Sequence, residues 1–230
     1  MPDLELAAPD GHRFAAYRAD FDGGPPRGGV VVVQEIFGVN AHIRSVTDRM
    51  AEAGFVAVAP ALFDRLERGV ELDYDEPGVV KGRALAWDTP LDGPITDLTA
   101  ACDALADELG GPQRVGMVGF CYGGMLTAAV ASRSGDHLAA AVAYYPSMAA
   151  QLLVDDVPEV PLLVHLGDRD QRVTAADGQA LEARWPGAEF HHYAEAGHGF
   201  NCDRRADYAP DASARAWRRT LAFLDSQLNG

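Results

Sequence analysis

The stretch "VGMVGFCYGGMLT", Val115–Thr127, is an apolar run that reaches a corner flanked by glycines and continues into helix-forming residues. Corners written G-x-S-x-G join a strand to a helix so sharply that the apex side chain stands clear of the sheet, and the usual apex is a serine nucleophile. Here the apex is Cys121, between Gly119 and Gly123. The turn demands small neighbours, and Gly119, Gly123 and Gly124 supply them. A thiol at the start of a helix also meets backbone dipoles that favour the thiolate. The corner therefore predicts a strand, a cysteine nucleophile at residue 121 and a helix, in that order. Cys102 and Cys202 have no such setting and read as filler of the core or surface.

Outward from the corner, the chain alternates strand and helix signals. "RFAAYRAD" (13–20) alternates like a half-buried strand, and "FDGGPPRGG" (21–29) is a turn. The β-branched run that begins at Gly29 and the segment "FVAVAP" (55–60) read as strands buried on both faces. Asn40 caps a helix that runs to about Ala53, and Gly54 suits its end. Residues 60–94 are irregular, charged and rich in Pro and Gly, with one helix around Val80–Trp87, a composition that suits a lid or pocket wall and equally mere decoration of the sheet. A helix from Ile95 precedes the corner. "LAAAVAYYP" and "PLLVHLGD" follow it as strands, then a helix over about 175–185, the short strand "AEFHHY" and a last helix over about 210–228. This alternation predicts one α/β domain with a mainly parallel sheet covered by helices on both faces. In such sheets the chemistry collects at the carboxyl ends of the strands.

Composition narrows the class. The 230 residues suit one α/β domain, and 48% hydrophobic content marks an ordinary globular chain. The formal net charge of −15 opposes binding to nucleic acid or anionic lipid, and it means that an anionic substrate needs local cations. Residues 1–10 are acidic without an apolar centre, no apolar run approaches a membrane span, and three cysteines without CxxC spacing fit neither a disulfide framework nor a zinc site. A cytoplasmic protein without metal or cofactor is expected.

A thiol nucleophile needs a base and a group to orient that base. "HLGDRDQRV" (165–173) offers Asp168 and Asp170 after one strand, and "EAGHGF" (195–200) offers His198 between glycines after the next. The order nucleophile, acid, histidine is that of α/β-hydrolase triads. Either aspartate can orient the imidazole on this reading. His165 reads as a core histidine; His12, His42 and His137 read as surface residues. His191 and His192 lie within the short strand, one packed and one in solvent, and only their nearness to His198 raises metal binding. Glu35 ends a strongly apolar strand near the expected oxyanion-hole loop, where it is either solvated or, if buried beside the thiol, a second base.

"VVVQEIFGVN" (31–40), "GFCYGG" (119–124), "GDRDQRV" (167–173) and "AEAGHGFN" (194–201) together resemble the signature segments of the dienelactone hydrolase family, in the same order. The likeness reaches from the first strands to the closing "AWRRTLAFL" helix. It implies an α/β-hydrolase fold and a Cys–His–Asp triad of Cys121, His198 and Asp170, the aspartate being chosen because the family acid lies three residues before a valine, here Val173. It also implies a family glutamate at Glu35 and an oxyanion hole from the backbone N–H groups of Ile36 and Tyr122. The implied reaction is hydrolysis of the enol-lactone ring of dienelactone to maleylacetate by a monomer. The resemblance further implies a resting thiol kept neutral beside Glu35 until substrate shifts that carboxylate.

One departure bears on the substrate. The family holds the substrate carboxylate with two arginines, one in the lid region and one four residues after the histidine, and the latter position is Cys202 here. Arg204 and Arg205 lie just beyond it, and Lys81 and Arg83 lie near the lid position. Arg204, Lys81 and Arg83 are therefore the candidate carboxylate contacts, with Phe37, Trp87 and Tyr145 as candidate pocket walls. A small ester, enol ester or thioester other than dienelactone is the alternative substrate. A thiol-redox protein linking Cys121 to Cys202, or a noncatalytic binding protein, is the alternative outside that class.

Overall fold

The computed structural model describes residues 4–228. In chain order the elements are β1 (Leu4–Ala7), β2 (Arg13–Ala19), β3 (Gly29–Val33), α1 (Ala41–Glu52), β4 (Val56–Pro60), α2 (Glu76–Asp88), α3 (Asp92–Leu109), β5 (Val115–Phe120), α4 (Tyr122–Arg133), β6 (Ala140–Tyr144), the single turn α5 (Ala149–Leu152), β7 (Leu162–Gly167), α6 (Ala175–Arg184), β8 (Glu189–Tyr193) and α7 (Pro210–Leu228). The eight strands form one sheet in the order β1-β2-β4-β3-β5-β6-β7-β8. From β4 to β8 every pairing is parallel; β1 and β2 join antiparallel at one edge. The sequence reading placed no strand at Leu4–Ala7, because four residues are too few for alternation to stand out.

β3 shows how one strand serves two cores. Val30 and Val32 face a cluster that includes Ile43 and Met50 of α1 and Leu224 of α7, whereas Val31 and Val33 face one that includes Leu98 and Leu105 of α3 and Leu126 of α4. Successive side chains of a strand alternate faces, so a continuous valine run satisfies both layers. Asn40 caps α1 as its sequence position implies, accepting from the Ile43 N–H at 3.3 Å.

Residues 61–91 pack over the loop that leaves β3. The Leu72 N–H donates to the Phe37 carbonyl (2.9 Å), and the Asn40 side chain donates to the Leu72 carbonyl (3.2 Å). A bridge joins Gly38 to Glu71. Gly38 has φ 76°, and a Cβ there would lie 1.8 Å from the Val70 carbonyl oxygen, so both conformation and space require glycine. α2 rests on the same loop: a Cβ at Gly82 would lie 2.1 Å from the Ile36 carbonyl oxygen.

Candidate active site

The corner after β5 is held by backbone contact. A Cβ at Gly123 would lie 2.4 Å from the Gln34 carbonyl oxygen and 2.5 Å from that of Val33, and one at Gly119 would lie 2.1 Å from the Gly123 carbonyl oxygen. Only glycine lets the first turn of α4 seat against the end of β3. Cys121 sits at the apex with φ 55° and ψ −113°, a strained backbone for a residue with a side chain. Tyr122 opens α4, so its N–H belongs to the first turn, which has no intrahelical acceptor.

Two neighbouring strand ends deliver the other groups. The His198 Nε2 lies 3.2 Å from Cys121 Sγ, and its Nδ1 lies 2.8 Å from Asp170 Oδ2. A carboxylate only accepts, so Asp170 requires the proton on Nδ1 and turns Nε2 toward the thiol. Asp170 is fixed in turn by the Arg172 and Val173 N–H groups, which donate to its Oδ1 at 2.7 and 3.0 Å. Of the two aspartates, Asp170 is the one that meets the His198 ring, and Asp168 pairs instead with exposed His192, at 3.0 Å. All three of Cys121, Asp170 and His198 are buried.

Burial pushes the Cys121 thiol up, but the His198 imidazolium and its hydrogen bond outweigh this and hold the thiol below its ordinary value. Burial likewise opposes the imidazolium, yet the Cys121 charge and Asp170 carry His198 up to about 9. Each charge therefore favours the other, and the geometry biases the pair toward thiolate and imidazolium.

Glu35 is fully buried. Tyr74 donates to its Oε2 at 3.0 Å, and Arg205 donates to its Oε1 at 3.3 Å. No Glu35–Cys121 hydrogen bond is present among the described residues. The glutamate thus differs from the partner of a neutral thiol that the resemblance implies: Arg205 balances its charge, and it reaches Cys121 only as a field that raises the thiol. Tyr74 packs against Phe37 with the rings tilted by 55° and their centroids 4.4 Å apart, and Arg205 lies over the Tyr74 ring at 5.8 Å.

The candidate substrate contacts divide. Tyr145 is buried edge-on to His198 at 5.1 Å, and Phe37 is buried beside Tyr74. Trp87 is 82% exposed at the end of α2, so it does not wall the triad. Lys81 is exposed and bonds Glu67 at 2.6 Å, and Arg83 is exposed on α2. Arg204 faces outward within 4.0 Å of Asp203 and lines a depression of about 270 Å³ with His42 and Tyr74, which includes no triad residue. The guanidinium that enters is that of Arg205, because Gly199 (φ 80°) leaves it room: a Cβ there would lie 2.7 Å from a terminal nitrogen of the side chain.

His42 is buried, not superficial as its sequence position had indicated, and it packs edge-on to Phe120 and Tyr74. Cys102, Cys121 and Cys202 are all free and buried. Burial and the nearby Glu35 raise Cys202 to about 11, which leaves it a thiol. Among the described residues one group combines metal-ligand types, His42, Cys202 and Asp203, with ligand atoms within 4.8 Å of one another. Arg204 beside Asp203 sets a positive charge against a cation there. His191 and His192 do not join His198; they pair with Glu189 and with Asp168 and Glu182.

The sequence reading overlooked Ser147, whose Oγ lies 3.4 Å from both Cys121 Sγ and His198 Nε2. It also overlooked Tyr74. The usable signal for Ser147 was its place two residues beyond "AYY", at the end of the strand beside β5.

A parallel sheet with a nucleophile corner, and with an acid and a histidine beyond later strands, is the architecture of an α/β-hydrolase. Residues 14–228 match the model of the dienelactone hydrolase family. The chain is 32% identical over 230 residues to a carboxymethylenebutenolidase of Pseudomonas putida, covering 96% of this chain and 94% of that one. It is 34% identical over 212 residues, 86% of each chain, to a Synechocystis sp. protein assigned as a carboxymethylenebutenolidase. A crystal structure of a protein assigned as a dienelactone hydrolase, from Klebsiella pneumoniae subsp. pneumoniae, superposes with a TM-score of 0.82 at 32% identity, covering 96% of this chain and 97% of that chain. The chain belongs to the dienelactone hydrolase family. It is a hydrolase, and no helix among the described residues is long and apolar enough to cross a membrane.

Proposed function

We propose that the chain hydrolyses an enol-lactone or related ester carrying a carboxylate, dienelactone being the leading candidate, through a Cys121–His198–Asp170 triad. The observation that carries the reading is the pair of contacts from one imidazole, 3.2 Å to the thiol and 2.8 Å to the acid. The Cys121 thiolate attacks the carbonyl carbon, a C–S bond forms, and the carbonyl electron pair moves onto oxygen. The Ile36 and Tyr122 N–H groups receive that charge. Collapse restores the carbonyl and breaks the ring C–O bond, releasing an enolate, and His198 supplies the proton the product needs. Neutral His198 then takes a proton from water. The water oxygen attacks the thioester, the C–S bond breaks, and the thiolate returns to its imidazolium.

Arg205 is the group we assign to a substrate carboxylate, in place of Arg204, Lys81 or Arg83. It is the cation nearest the buried Glu35, and a guanidinium can hold two oxygens at once. Residues 61–91 serve as a pocket wall, fastened to the Phe37–Asn40 loop by the bonds described above. A monomer in a reducing, cytoplasmic setting suits three free thiols.

The test is kcat/KM on dienelactone and on its neutral methyl ester, with Cys121→Ala as blank. Preference for the free acid is expected. Equal or better turnover of the neutral ester would overturn the carboxylate assignment and favour the second reading, an esterase for another small ester, to which the cysteine at residue 202 already lends weight.

A further inference from the structure

The loop after β6 is bent in a way that needs a cause. Tyr145 has φ 36° and Met148 has φ 66°, two non-glycine residues in the left-handed region on either side of Pro146 and Ser147. Such strain persists only where surrounding contacts over-determine it, and it collects at functional sites. The contacts are on hand. The Cys121 N–H donates to the Tyr144 carbonyl (3.0 Å), the Tyr145 N–H to the His165 carbonyl (2.8 Å), and the Ser147 N–H back to the Cys121 carbonyl (3.2 Å). Gly124 completes the seat, since a Cβ there would lie 2.7 Å from the Tyr144 carbonyl oxygen and 3.2 Å from Pro146 Cα. The nucleophile corner and this loop are thus built against each other, and the side chain they aim inward is the Ser147 hydroxyl.

We infer that Ser147 is a further catalytic residue: its hydroxyl donates a second hydrogen bond to the Cys121 thiolate, 3.4 Å from Sγ, and completes a triangle with His198 Nε2. The inference rests on Cys121 being the nucleophile. Ser147 holds the ionised sulfur by direct donation, where His198 holds it chiefly as a counter-charge. Hydrogen bonds to the charged form favour that form, and the effect of this hydroxyl on the thiol is to lower it. When the sulfur becomes a thioester it loses its charge and is a poor acceptor. The hydroxyl is then released from sulfur, and its oxygen, 3.4 Å from His198 Nε2, can accept from the incoming water while the Nε2 lone pair takes that water's other proton. One hydroxyl would therefore serve the resting enzyme and the acyl-enzyme in turn, with no proton transferred through it.

The experiment follows the rate of iodoacetamide alkylation of Cys121 against pH, read by mass spectrometry of the Cys121 peptide so that Cys102 and Cys202 do not contribute. It is run on wild type, Ser147→Ala and Ser147→Thr, each first checked for a wild-type circular dichroism spectrum. Ser147→Gly stands in if the alanine variant misfolds. Loss of a charge-assisted hydrogen bond should raise the thiol midpoint by about one pH unit, roughly tenfold in thiolate at low pH, and threonine should restore it. A wild-type midpoint below the ordinary thiol value that stays put in Ser147→Ala overturns the role of Ser147 and leaves the Cys121–His198 pair standing. A wild-type midpoint at the ordinary thiol value overturns the pair itself, and the Ser147 inference with it. A midpoint that rises in both Ser147→Ala and Ser147→Thr assigns the effect to loop shape and also overturns it.

Discussion

The corner proposed to carry the nucleophile and the proposed recognition side of the site are built by different means. The corner is backbone against backbone: β3, β5 and the first turn of α4 approach within distances that exclude any Cβ at Gly119 or Gly123. The recognition side is side chain against side chain. Glu35, Tyr74 and Arg205 meet from three distant parts of the chain, Glu35 and Arg205 being 170 positions apart. Backbone contact restricts residue type at each position, so it leaves a local mark in the sequence. Side-chain contact can be rebuilt from a neighbouring position, as the entry of Arg205 in place of Arg204 illustrates, and it leaves a weaker one.

Four measurements would break or sharpen that contrast. The largest effect should come at the apex: Cys121→Ala should lower kcat by about 10⁴-fold or more, since a member of a triad cannot be bypassed. A loss below about a hundredfold, read in steady-state assays, would remove Cys121 from the nucleophile role. Next is Gly123→Ala, whose added methyl meets the Val33 and Gln34 carbonyls; urea unfolding should show a loss of about 1–3 kcal/mol. An unchanged midpoint would mean that the corner has more room than its contacts indicate.

The pH profile ranks third. His198 is raised, so its proton is present at neutral pH and lost as pH climbs through about 9, and kcat/KM should fall about tenfold per unit beyond that point. The acid limb should lie below the ordinary thiol value, because Cys121 is lowered. A limb at the ordinary value would mean that the resting sulfur is protonated. The smallest effects belong to the recognition side. Arg205→Ala should cut the preference for an acidic over a neutral ester by about tenfold, while Arg204→Ala, which alters an exposed contact, should change it less than about twofold. The reverse ranking would return the carboxylate to Arg204.

Much of the frame was legible in the sequence. Buried parallel strands need continuous apolar runs, and the helix ends at Asn40 and Gly54 carry their own capping chemistry. Cys121 and His198 stood out because glycines flank them. Asp170 could be separated from Asp168 only by the family resemblance, since both lie past the same strand; in the structure the Val173 N–H on Oδ1 distinguishes them. Ser147 was hidden because serine after Pro146 is ordinary turn composition; the strand register that sets Tyr144 against Phe120 gives it meaning. His42 looked superficial near the start of a helix, and the rings of Tyr74 and Phe120 that bury it come from elsewhere in the chain.

The contact between Gly82 and the Ile36 carbonyl has a practical consequence for redesign. In the proposed mechanism the peptide groups of Ile36 look two ways, the N–H toward the oxyanion and the carbonyl toward α2. The wall that would choose the substrate and the donor that would serve the reaction therefore share a residue. Grafting a different segment over residues 66–90 would not be a modular exchange. Any replacement that puts a side chain where Gly82 lies would press on Ile36, and turnover would change together with selectivity.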